Sequence, residues 1–230
     1  MHDRHRIKTP GLVLLIGLAL PLLWDASGGD LALAQRMGSQ AGFALRNNWW
    51  LQHVLHDGAR QLAWLLGCLL CLAVAWPVGP LRRLPFPRRL QLAVSGLLAT
   101  AVVALLKSGS HTSCPWDLAA FGGVARYQSH WSGWLHSDGG AGRCFPAGHA
   151  SAGFAFVAGW FALRRDLPRL AAVWLVVALV AGLVLGWAQQ LRGAHFMSHT
   201  LWTAWICAAV GWATDLVFVR CSQARRGALA

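Results

Sequence analysis

Four stretches of this chain, at about 60–78, 90–107, 169–188 and 198–219, are long and apolar enough to cross a bilayer. A transmembrane helix needs roughly 20 mostly apolar residues, because lipid offers no partners to backbone polar groups. Two further stretches, at about 10–26 and 147–163, share the composition but are short. The first contains Pro21, and the second begins at a polar motif. The pattern predicts an all-α, polytopic membrane protein: a six-transmembrane-helix bundle in one domain spanning 1–230. Only 12% of the residues are charged, against about 25% in soluble domains. That excludes a soluble globular fold, and the apolar content excludes disorder.

Charge placement gives an orientation. The chain has 20 Lys+Arg, 8 Asp and no Glu, for a net charge of +12. The cations do not form the single stripe that nucleic acid would require. Instead they sit between apolar blocks: Arg4, Arg6 and Lys8; Arg82, Arg83, Arg88 and Arg89; Arg164, Arg165 and Arg169; Arg220, Arg225 and Arg226. The positive-inside rule makes that side cytoplasmic, with both termini inside. Residues 1–34 also read as a secretory signal, with a basic start, an apolar run and Ala32-Leu33-Ala34 as a cleavage site. Removing them would leave the remaining orientation unchanged.

The polar chemistry falls on the opposite side. Eight of the ten histidines lie in the outer connections or at span ends. Imidazoles titrate near neutral pH and serve as acids, bases, nucleophiles or ligands. Among them, His53, His56, His130 and His136 read as loop or interface solvation. The stretch Asn47-Asn48-Trp49-Trp50-Leu51 reads as an amphipathic segment lying in the headgroups, with a lipid-head pocket wall as the sharper alternative.

Three outer clusters carry more information. In the first, Lys107 is followed after six residues by Cys114-Pro115-Trp116-Asp117. The second is Arg143-Cys144-Phe145-Pro146-Ala147-Gly148-His149. Pro146 and its small neighbours there predict the start of a helix whose free N–H groups suit phosphate. The third runs from Gln189 to His199 and contains Arg192, His195 and His199 at i, i+3 and i+7, which a helix would place on one face. His195-x3-His199 is also the spacing of helical zinc pairs. The absence of Glu removes the general base such a site uses, which leaves a metal-dependent membrane protein as the lesser reading.

Together the clusters resemble the PAP2 family, the type 2 phosphatidic acid phosphatases related to vanadium haloperoxidases. The family pattern is Lys-x6-Arg-Pro, Pro-Ser-Gly-His and Ser-Arg-x5-His-x3-Asp, in outer loops of six-helix membrane enzymes. The likeness covers about 100–215. Lys107 and Pro115 match the first motif, Pro146, Gly148 and His149 the second, and His195 the third. Four positions depart: Cys114 stands for Arg, Ala147 for Ser, Gln189 for Arg and His199 for Asp. They fit either a divergent branch with relocated arginines or a catalytically inactive scaffold.

The resemblance implies a lipid phosphatase or pyrophosphatase with its active site at the extracytoplasmic face of a bacterial inner membrane, and no cofactor. His195 would be the nucleophile, His149 the general acid and base, and His199 the group orienting His195. Lys107, Gly148, Arg143 and Arg192 would hold the phosphoryl oxygens. A lipid phosphotransferase using the same histidines is the alternative. Cys114 and Cys144 share one outer loop, and in an oxidising periplasm a disulfide between them would draw Lys107 towards His149; two free thiols are the other reading.

Overall fold

The computed structural model describes the backbone of residues 2–227 and the side chains of residues 10–224. The side chains of Arg4, Arg6, Lys8, Arg225 and Arg226, used above for orientation, lie outside the described residues. Five helical stretches are long and apolar enough to cross a membrane: Pro10–Ser27, Trp50–Arg83, Phe86–Gly109, Pro168–Leu191 and Met197–Ala224. They make this a membrane protein.

The expected fourth span is the exception. In place of a helix over 147–163, a turn precedes Ser151, and helix runs only over Ser151–Leu163. That stretch is itself divided: α5 (Ser151–Phe154), a 3-10 turn (Ala155–Val157) and α6 (Ala158–Leu163). Its packing is tight. A Cβ on Gly153 would collide with the main chain of Gly182 in α7 (Pro168–Leu191). Such backbone-to-backbone approach is the means by which small residues join helices in lipid, where burial of apolar surface gives no drive.

The bundle is pinned at the end far from the histidines. α4 (Phe86–Gly109) and α8 (Met197–Gly227) run antiparallel. Buried Asp215 of α8 accepts from Arg165 at 2.8 and 2.9 Å, Arg164 at 2.9 Å, Arg88 at 3.2 Å and Gln91 at 3.0 Å. From there a stripe of α4, Gln91, Ser95, Ala99 and Val103, faces the core with at most 1% exposure. Continuing at the same spacing of four, which keeps residues on one helix face, it ends in Lys107.

At the histidine end, α1 (His2–Ser27) leads into α2 (Gly29–Gln35) and a small hairpin of β1 (Gly38–Ser39) and β2 (Gly42–Phe43). In the segment 47–51, Asn47 and Asn48 form a turn and its end, and helix begins at Trp49. A π-helix, Trp50–Gly58, runs directly into α3 (Ala59–Ala75), so the second span begins about ten residues earlier than hydropathy indicates.

Candidate active site

The long connection between α4 and α5 is ordered by its own polar groups. Asp138 is buried and accepts from Ser113 N at 2.6 Å, Ser113 Oγ at 2.7 Å and Gly140 N at 3.0 Å. Main-chain bonds then stitch the three clusters together: Trp116 N donates to Gly193 O at 2.9 Å, and Ala147 N to His199 O at 3.3 Å. Cys114 and Cys144 are joined by a disulfide, with Cα atoms 5.1 Å apart. Phe145–Pro146 is a cis peptide.

The third cluster is not one helix. α7 ends at Leu191, and Gly193 turns the chain with φ +75°. Its N–H bonds Gln190 O, while Ala194 N bonds Gln189 O. This is a glycine-dependent helix stop, since a side chain is disfavoured in the left-handed region. α8 starts only at Met197. Arg192, His195 and His199 therefore do not share a helix face, yet the turn still brings the two histidines together. Their rings lie 5.7 Å apart at 66°.

His149 joins them, its ring 6.3 Å from that of His195. The Lys107 side chain lies against Gly148: a Cβ there would sit 3.3 Å from Lys107 Cδ. Arg192 is buried, with Nε donating to Arg46 O at 2.9 Å and Nη1 to Gln189 Oε1 at 3.3 Å. The structure does not gather Arg143. It is exposed on a left-handed turn (φ 56°), with its main chain bonded to Ser110.

Two residues read from the sequence as solvation also reach the site. His56 stacks on His149 with ring centres 3.7 Å apart, and its Nδ1 is 2.8 Å from Asp57. The π-helix that presents it is a wide-turn geometry concentrated at functional sites. His130 is buried with its ring 6.0 Å from His199. Spacing gave a weak signal for the first, because His53-x2-His56-Asp57 shares a helix face. Nothing local marks His130, whose place is set by the loop fold.

The site is electropositive. Burial first, and then the positive fields of His56, Lys107 and Arg192, push His149 down to about 3. Burial, followed by Lys107 and the neighbouring imidazoles, holds His195 well below the ordinary histidine range. Lowered in this way, both rings favour the neutral form near pH 7, so either can offer a lone pair or accept a proton, and His149 can donate a proton only once a bound anion has raised it. An arriving anion favours the protonated form of a nearby imidazole, so binding of a phosphate and protonation of His149 are coupled.

Cys144 Sγ, His195 and His199 have potential ligand atoms within 4.8 Å of one another. That sulfur is in a disulfide and is no thiolate, so two imidazoles are left, fewer than a structural or catalytic zinc uses.

The Cys144 sulfur lies 3.5 Å from His195 Nδ1, so the disulfide braces the histidine as well as the loop. The sequence separation of 30 corresponds to about 3–4 kcal/mol of unfolded-state entropy. Reductant, or a paired Cys114→Ser and Cys144→Ser change, is expected to lower the thermal midpoint in detergent by about 10 °C. An unchanged midpoint, or two thiols alkylated without reductant, would contradict this.

A bundle of apolar helices with an electropositive histidine cluster at one end defines the class: a membrane protein with buried imidazoles of the kind that can serve acid–base or nucleophilic chemistry. The family is specific: a PAP2 superfamily model matches residues 88–225, and the chain belongs to that superfamily. No curated protein and no solved structure matches the chain. Membership supports a phosphatase-type function in general.

Proposed function

We propose that this protein is a lipid phosphatase, hydrolysing a lipid phosphate monoester or pyrophosphate through a phosphohistidine at the extracytoplasmic face of a bacterial inner membrane, with both termini cytoplasmic. The observation that carries the reading is the meeting of Lys107, His149 and His195, from α4, the turn before α5 and the turn before α8, at one end of the bundle. Phosphoryl transfer asks mainly for positioning and charge stabilisation, and this site has both.

His195 Nε2 attacks phosphorus while Nδ1 stays braced against Cys144. His149 protonates the departing oxygen and then takes a proton from the attacking water. His199 orients His195. Lys107, Arg192 and the Gly148 backbone hold the phosphoryl oxygens. Arg192 supports the relocated-arginine reading, because its guanidinium bonds the side chain of Gln189, where the family pattern has arginine. Arg143 would reach a substrate only by leaving its exposed turn.

A lipid substrate is favoured by an apolar groove of about 400 Å³ between the π-helix, α7 and the start of α8, lined by Leu51, Leu55, Leu183, Trp187 and Met197. Its walls are almost wholly apolar and suit an acyl or prenyl chain. The test is phosphate release from phosphatidate, phosphatidylglycerophosphate, polyprenyl pyrophosphate and lipid A in mixed micelles, with and without vanadate. Release from at least one lipid, inhibited by vanadate, is expected. No release from any of them would refute the proposal.

A further inference from the structure

A phosphorylated imidazole that keeps its other ring proton is a cation, and the family pattern places a carboxylate beside it. Here that position holds His199, which is 1% exposed and whose Nδ1 has no partner among the described residues. Beyond it lies His130, 5% exposed, its ring perpendicular to that of His199 and stacked on Phe145 at 4.1 Å. His130 Nε2 is 3.4 Å from Asp25 Oδ2.

The carboxylates there are held by neutral donors. Asp25 Oδ2 accepts from the indoles of Trp202 at 2.9 Å and Trp131 at 3.1 Å. Asp30 accepts from Trp24 Nε1 at 2.7 Å, from Ser198 N at 3.0 Å and from Ser198 Oγ. Neutral donors stabilise a carboxylate without cancelling its charge. Two carboxylates from the α1–α2 corner thus sit at the start of α8, Asp30 on Ser198, next to His199, and Asp25 on Trp202, three residues after it. With His130, His199 and Tyr127 they line a cavity of about 70 Å³, roomy enough for bridging water.

We propose that Asp25 and His130 are positioning residues for phosphoryl transfer, supplying through His199 the negative field that a carboxylate beside the nucleophile would otherwise provide. The proposal rests on the reading of His195 as nucleophile. In the first step the Nε2 lone pair forms the P–N bond, the P–O bond to the leaving group breaks, and that oxygen takes the proton of His149. His195 keeps its Nδ1 proton and becomes cationic. His199, polarised by His130 and Asp25, stabilises that charge, and no proton leaves the chain of groups. In the second step water forms a P–O bond and passes a proton to His149, and the P–N electron pair returns to Nε2.

The test is a double-mutant cycle on the full chain in micelles, using the lipid turned over fastest in the panel above. Asp25→Asn is expected to lower kcat about tenfold or more, with KM changed less than about twofold. In a His199→Asp background, which puts a carboxylate next to His195, the same Asp25→Asn change should lower kcat less than about threefold. If Asp25 only anchored the indoles, the loss would be equal in both backgrounds. His130→Gln leaves those indole bonds in place and should reproduce the kcat effect if Asp25→Asn fails to fold. Equal losses, wild-type kcat in either single variant, or a His199→Asp protein without turnover would overturn the inference while leaving the phosphatase reading intact. A wild-type protein that neither releases phosphate nor takes up radiolabelled phosphoryl overturns both.

Discussion

Replacing His195 with alanine is expected to abolish phosphate release, a loss of at least about a thousandfold, while the protein elutes as the wild type does and still melts cooperatively, about 5–10 °C lower. The imidazole is buried, so its removal leaves a cavity, but its surroundings are held independently. The Schellman-type stop at Gly193, the Cys114–Cys144 bridge and the bond from Trp116 N to Gly193 O do not involve the ring. Catalysis and folding are therefore separable at this position. Retained phosphate release by a well-folded His195→Ala protein would remove the nucleophile from the account.

The second large effect belongs to His149, and it is a different kind of loss. His149→Asn should slow steady-state turnover by about 10²–10⁴-fold, the range for removing a general acid–base. Substrates with good leaving groups need no proton in the first step, so they should still phosphorylate His195. The covalent intermediate then waits, because no base activates water. A burst of one leaving group per protein, followed by near-zero steady state, is the signature. The electrostatics add a second consequence. Lys107 and Arg192 depress the protonated form of His149, whereas a bound phosphate dianion favours it, so inorganic phosphate or vanadate binding should take up a proton. A matched pair of buffers with different ionisation enthalpies in calorimetry measures this directly. Binding without proton uptake would mean that His149 does not face the anion.

Much of this arrangement is legible in the sequence, and what is not has physical causes. Hydropathy finds the long spans because the bilayer imposes length and composition on them directly. At 147–163 it finds an apolar helix but places its start too early. There the main chain of Ala147 is diverted to bond His199, and Gly153 packs on Gly182, so helix starts late and includes a 3-10 turn. The family pattern locates Lys107, His149 and His195, since each sits at the end of a span whose register is fixed. It cannot distinguish Arg192 from Arg143. Both flank a histidine in sequence, but only one is turned inward, and a left-handed turn at Arg143 decides it. His56 reaches the site because a π-helix widens the entry to α3, a geometry with no residue signature. Asp25, Asp30 and His130 are assembled by contacts more than a hundred residues apart, beyond any local pattern. The expectation of a shared helical face for Arg192, His195 and His199 fails for the same reason. Gly193 ends one helix before the next begins, and only the tertiary turn restores the proximity.

The most direct measurement is the site of phosphorylation. The His149→Asn protein, mixed briefly with a lipid phosphate or a reactive aryl phosphate and digested under basic conditions, should yield one phosphorylated peptide. That peptide should contain His195, with the label stable in base and lost in acid. A label on any other residue, or rapid phosphate release from the intact protein with no phosphorylated peptide at any time, would contradict the account.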